Sequence, residues 1–312
     1  MLKFWRRYWF LLSLTAILAI GMGWSAQLTP LAGGLPREWI IASVLLAMAL
    51  PLRFDALAVA LRYPRPVLLS VAVNWLLIPS LAWLASHWLM PDLALGLIIA
   101  AAVPCTLASA AVWTRLAGGN DAVSLLVTII TNLSCFFVTP ALIQFFAGRA
   151  DVTISFSEMA GKLLVLIVMP LVLAQLLRRI TPVSHWANKR RPLLTGYAQC
   201  GILAIVFVGA VHCGSNIAEL PKFEAQLALL LLIVVAIHLI AWFSGFWLAG
   251  RLGLARGEQI AVAFAGSQKT LMVGLTIALQ FGGLTMLPML AYHVGQLLID
   301  TLLASRLRPP DK

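Results

Sequence analysis

The chain reads as long apolar stretches separated by short segments rich in proline, glycine and charge. A helix of about 20 apolar residues is long enough to cross the hydrocarbon core of a bilayer. Hydropathy and length predict ten such spans, at 8–26, 38–52, 66–89, 93–117, 121–147, 158–180, 195–215, 224–249, 257–281 and 285–305. Two of them are interrupted. Val103-Pro104-Cys105-Thr106 falls in the fourth span. Gly266-Ser267-Gln268-Lys269-Thr270 falls in the ninth and places a lysine in apolar sequence. Proline removes an N–H and disfavours helix at the residue before it. Helices broken at corresponding places in two halves point to a solute site of the secondary-transporter kind.

Composition fixes the environment. The 312 residues are 62% hydrophobic and 11% charged, with a mean hydropathy of +0.97. Soluble domains carry about a quarter charged residues, so the expected class is an all-α membrane protein. A net charge of +11 would suit nucleic acid, but the basic residues cluster at the ends of apolar segments, as in membrane proteins. With the N-terminus in the cytoplasm, inner segments hold 17 of the 22 Lys and Arg residues. The outer segments hold Arg37, Arg149, Lys162 and Lys222, and Lys269 stands apart. That bias places both termini in the cytoplasm, with a plasma or inner membrane as the expected location. Lys3, Arg6 and Arg7 before an apolar run mimic a signal peptide; an uncleaved first span completes an even count. Cys105, Cys135, Cys200 and Cys213 have no metal-ligand spacing and read as small buried hydrophobes. H-E-x-x-H, G-x-S-x-G and P-loop motifs are absent, so neither an enzyme nor an organic cofactor is expected. The expected partners are lipid and a small solute.

Five spans per half is an odd number, so a repeated half must insert upside down. The expected repeats are 1–147 and 148–312. Thr106-Leu107 followed by Gly118-Gly119 returns as Thr270-Leu271 followed by Gly282-Gly283, and the same offset pairs Asn132 with Gln296.

Polar residues inside the spans supply the candidate chemistry. A break at Pro104 frees carbonyls that can hold a cation and N–H groups that can hold an anion. Ser124, Thr128 and Asn132 share one helix face, directed to protein or water. A lysine at mid-span costs about 2.5–3.5 kcal/mol on insertion scales and marks a functional site by default. His293, Gln296 and Asp300 face one way on the last span, where Asp300 could offset Lys269 or pair with Arg306. His293 is a candidate titratable group. Candidate solute-binding residues are Pro104, Cys105, Thr106, Ser267, Gln268, Lys269, Thr270, Asn132, His293 and Gln296. Asn74, His212 and His238 receive no role.

The stretch from Pro104 to Pro140 resembles the fourth and fifth helices of the bile acid:sodium symporter family. The marks are its small-polar turn, Gly119-Asn120, Ser124, Thr128 and Thr139-Pro140. Ala265 to Gly274, AGSQKTLMVG, resembles the family's ninth-helix crossover, closest to a branch with GSxKS/T there, and Leu287 to Gln296 follows it. The resemblance implies ten helices in two inverted repeats, with helices four and nine unwound and crossing at mid-membrane. It further implies a panel of helices 1, 2, 6 and 7 and a core of helices 3–5 and 8–10, working by alternating access.

The same resemblance implies ion sites, with departures. Ser109, Ser124 and Thr128 match oxygen donors of the family's first sodium site. Ala110 and Phe264 stand where its asparagine and glutamate belong. Gln268 matches the second-site glutamine, and Lys269 follows where asparagine is frequent. A carboxylate is lost and an ammonium gained, so the expectation is that Lys269 replaces at least one sodium ion. A desolvated lysine can also exchange a proton, which keeps Na⁺ and H⁺ both open as coupling ions. The leading functional expectation is a secondary transporter of a small organic anion. A sodium-independent or proton-coupled exchanger, a channel, and a non-transporting membrane regulator are the alternatives.

Overall fold

The structure is a computed structural model and describes residues 2–52, 64–147, 155–217, 223–282 and 284–308. Gly283, Arg149 and Lys222, named above, lie outside the described residues. Among the described residues the regular structure is entirely helical. In chain order it comprises α1 (Leu2–Gly23), α2 (Ser25–Gly33), α3 (Arg37–Ala49), α4 (Pro64–Ser86), α5 (Pro91–Ala102), α6 (Ser109–Leu116) and α7 (Asp121–Ala147). There follow α8 (Phe156–Arg178), α9 (Thr181–Lys189), α10 (Arg191–Ile217), α11 (Phe223–Arg251), α12 (Arg256–Ser267), α13 (Leu271–Phe281) and α14 (Leu287–Leu307).

The chain is a multi-pass integral membrane protein. Seven stretches among the described residues are long and apolar enough to cross a bilayer, or eight if α1 and α2, bent by 109°, count as one. This is fewer than the ten spans the hydropathy predicts, for two visible reasons. The predicted second span forms a helix of only 13 residues, α3. The predicted fourth span divides into α5 and α6, with a non-helical Val103–Ala108 between them. The stretch Arg256–Phe281 does pass the length test, and its apolar window is wholly buried inside the protein.

The helices pack in two groups. α1, α2, α3, α8 and α10 lie against one another, and α12 sits among α4, α6, α7 and α11. Gly266 lets α12 approach α4 closely: a Cβ there would lie 3.0 Å from Val73 Cγ1 and 3.4 Å from the Ser70 carbonyl oxygen. That approach brings Asn74 of α4 beside the second break. Gly118 and Gly282, matched in the sequence echo, share left-handed φ values of 77° and 66°. A side chain would be strained at either position.

Two local devices shape α4. Ile78 donates its N–H to Val73, five residues back, and so opens a wide π-type turn. The next residue, Pro79, has no N–H to donate. The Asn74 carbonyl therefore loses its helical partner on both counts. Such turns recur at functional sites.

Candidate functional site

A backbone break inside a membrane leaves polar groups that must find partners. At the first break five carbonyls, from Ala102 to Thr106, have one. Thr139 Oγ1 donates to Ala102 O at 3.0 Å, Lys269 Nζ to Val103 O at 3.0 Å and the Thr270 N–H to Pro104 O at 2.9 Å. Asn132 Nδ2 donates to Cys105 O at 2.8 Å and Thr128 Oγ1 to Thr106 O at 3.0 Å. Thr106 Oγ1 accepts the Ala110 N–H at 3.1 Å and so caps α6.

The second break is satisfied in the same way. Asn74 Nδ2 donates to Gly266 O and Gln268 O at 3.1 and 2.9 Å, and Tyr292 Oη to Ser267 O at 3.0 Å. Gln296 clasps the Lys269 backbone, accepting its N–H at 2.9 Å and donating to its carbonyl at 2.9 Å. The two breaks meet where the Thr270 N–H donates to Pro104 O.

The Asn132–Cys105 bond and the Gln296–Lys269 bond join residue pairs related by the same sequence offset as the echo. Asparagine is one methylene shorter than glutamine. Its Oδ1 is buried without a partner, and the Cys105 N–H turns to Thr131 Oγ1 at 3.3 Å instead.

The Lys269 side chain is fully buried. Its Nζ lies 2.7 Å from Asn74 O, 3.0 Å from Asn74 Oδ1 and 3.0 Å from Val103 O. Three oxygen acceptors match the three donors of an ammonium group. One is the carbonyl left open by the π-turn and Pro79, and another is freed by the first break. The sequence passed over Asn74; the signal was a proline five residues downstream in an apolar helix.

Asp300 takes neither partner expected of it. Its Oδ1 is 2.9 Å from His238 Nε2, and its Oδ2 accepts from Gln268 Nε2 at 2.5 Å. His238 is buried, and its Nδ1 lies 3.3 Å from Ser267 O. Gln268 Oε1 in turn accepts from the Thr106 and Ser109 hydroxyls at 2.7 and 2.8 Å.

A cavity of about 410 Å³ lies beside the crossing, between the two helix groups. Thr106, Ser109, Thr270 and His293 line it from one side, and Phe10, Met48, Ala198 and Ile202 from the other. Arg115 and Arg191 are at its edge. The first residues of α13, Leu271 and Met272, also line it. Because the Gln296 oxygen is committed to the Lys269 N–H, its amide nitrogen donates to His293 Nδ1 at 2.9 Å. The His293 ring proton therefore sits on Nε2. Pro104, Cys105, Asn132, Ser267, Gln268, Lys269 and Gln296 form the scaffold behind this wall rather than the wall itself.

The oxygens expected at a first sodium site are engaged with the protein. Ser124 Oγ pairs with Thr114 Oγ1 at 2.7 Å, Thr128 with Thr106 O, and Ser109 with Thr106 and Gln268. Ala110 and Phe264 are buried and apolar. Sodium is a hard ion that needs several free oxygens and gains from a carboxylate. The hydroxyls of this set keep lone pairs, but no carboxylate stands among them.

The family model of the SBF-like CPA transporter family matches residues 8–309. The chain belongs to that family. It is 26% identical over 330 aligned positions to Sodium/bile acid cotransporter 7 of Rattus norvegicus, covering 97% of this chain and 93% of the relative. The Mus musculus protein of the same name is 25% identical with the same coverage. Uncharacterized protein PA2026 of Pseudomonas aeruginosa is 30% identical over 228 residues, 71% of this chain and 67% of that one. The SBF-like chain is thus a membrane transporter of the bile acid:sodium symporter type, as the residues around Pro104 and Lys269 implied.

Proposed function

We propose that the chain moves a small organic anion by alternating access, with the Lys269 ammonium standing in for a coupling sodium ion. The observation that carries this reading is the ammonium held by Asn74 O, Asn74 Oδ1 and Val103 O directly behind the cavity wall. Those oxygens form the kind of pocket a cation would occupy, and a tethered cation fills it. The start of α13 and the His293 Nε2–H supply donors suited to an anion at the cavity. The relatives' names join sodium to bile acid.

The proposed architecture has ten crossing segments in two inverted repeats, 1–147 and 148–312. Support comes from the matched glycines Gly118 and Gly282, and from the matched clasps of Asn132 on Cys105 and Gln296 on Lys269. The group containing α1, α3, α8 and α10 would form the panel, and the group around α12 the moving core. Both termini would face the cytoplasm.

The test is counterflow in proteoliposomes preloaded with small carboxylates, assayed in sodium and in choline media. Equal flux in both media, lost in Lys269→Ala, is the expected result. Flux that requires sodium in the unmodified protein would refute the stand-in role. Conductance without counterflow would replace the transporter with a channel.

A further inference from the structure

The corner between the end of α11 and the start of α12 carries an open groove of about 790 Å³, lined by Phe243, Phe246, Trp247, Arg251 and Gln259. It shares no lining residue with the cavity. Its lower wall is aromatic. Phe243 and Trp247 are more than half exposed, at 54% and 56%. Aromatic rings exposed at the end of an apolar helix belong at the boundary between acyl chains and water.

Its upper rim is cationic. The Arg251 guanidinium carbon sits 4.9 Å from the centre of the Trp247 ring, and that of Arg256 sits 4.5 Å from the Phe246 ring. Stacking on a ring holds a guanidinium in place and leaves its N–H edges free to donate. Among the described residues neither arginine forms an ion pair with a carboxylate. Two positioned, unneutralised guanidinium groups above an apolar aromatic wall match one molecule: acyl chains below, phosphate above. A zwitterionic headgroup would bring a second cation against the arginines, whereas an anionic one would not.

We propose that this corner is a binding site for a phospholipid with an anionic headgroup. The site bears on the crossing through the rings beneath it. Phe246 stacks on Trp242 at 5.5 Å, and Trp242 meets Phe264 edge-on at 5.7 Å. Phe264 lies on α12 just before Ser267, where the second break begins. An occupied groove therefore steadies α12, the helix that leads into the break at Lys269.

The experiment is thermal unfolding of the full chain in non-ionic detergent with added phosphatidylglycerol, phosphatidylcholine or glycerol 1-phosphate. A ligand that binds only the folded state raises its melting temperature by mass action. Phosphatidylglycerol is expected to raise it by a few degrees in a saturable manner, and the other two to leave it unchanged. The Arg251→Ala/Arg256→Ala variant should lose the rise while melting normally in phosphatidylcholine, since both side chains are exposed. Lys189→Ala/Arg190→Ala should keep it. Trp247→Leu keeps apolar surface but removes the ring under Arg251, and should weaken the rise. An equal rise with phosphatidylcholine would mean ordinary lipid solvation and overturn the proposal. So would a rise that survives in the double variant. A rise with glycerol 1-phosphate alone would mean a soluble phosphate site and overturn it as well.

Discussion

At the scale of one residue, Lys269 is held by three oxygens that have no other side-chain donor among the described residues. Lys269→Met keeps the length of the side chain but leaves Asn74 O, Asn74 Oδ1 and Val103 O unpaired in a dry site. Leaving a buried acceptor unsatisfied costs about 1–3 kcal/mol, and some of the three will relax. We expect a net loss of about 3 kcal/mol, seen as a lower melting temperature in detergent, together with loss of counterflow. A variant that melts at or above the parent would mean the ammonium is a burden on the fold. Lys269→Gly goes further, because it vacates the pocket and leaves its oxygens in place. That variant should gain a sodium-specific rise in melting temperature that the parent lacks; no difference between sodium and choline would count against a cation-shaped pocket. The lysine itself was legible in the sequence, since a charge in apolar sequence has few explanations. Its partners were not. Asn74 lies 195 residues away, and an isolated asparagine in a span has many ordinary roles. His238 was opaque for the same reason, its partner Asp300 being 62 residues off.

At the scale of elements, the informative features are interruptions of helix. Pro104 announced the first, and the polar run Ser267–Thr270 announced the second. The π-turn in α4 was silent, because it changes hydrogen bonding without changing hydropathy. Its logic is testable through Pro79. Replacing a proline inside a helix by alanine ordinarily stabilises by about 3 kcal/mol. Pro79→Ala would supply an N–H able to reclaim the Asn74 carbonyl, in competition with Lys269 Nζ. We expect most of the usual gain to be absent, with counterflow reduced. A full gain in stability with unchanged flux would separate the turn from the site. Length was the weaker guide: α3 was read as a full span from hydropathy, yet its 13 residues make a helix of about 20 Å.

At the scale of the molecule, the cavity lies between two helix groups, so filling it should block function without unfolding either group. Ala198, on α10, is 3% exposed and lines the cavity opposite Thr270. Ala198→Trp is expected to abolish counterflow while helical circular dichroism and expression stay near those of the parent. Flux that survives would move the solute path elsewhere. Hydropathy locates spans without saying which of them touch, so the contacts among helices were not legible in it.

A charge that belongs to the chain has an electrical consequence. Sodium leaves the carrier with its solute, but Lys269 stays behind. In the proposed cycle, with a monovalent anion aboard and the buried Asp300–His238 pair taken as neutral overall, solute and ammonium cancel, and the loaded core crosses the membrane field as a neutral body. The empty core then returns with the ammonium uncompensated. A full crossing of one elementary charge is worth about 2.3 kcal/mol per 100 mV. Voltage should therefore act on the empty return step and leave the loaded step alone. An interior-negative membrane would hold the resting carrier with its empty site toward the cytoplasm. In liposomes with an imposed potential, anion-for-anion exchange should ignore voltage, while net uptake should depend on it. Equal insensitivity of both would mean that Lys269 stays still in the field while the solute moves past it.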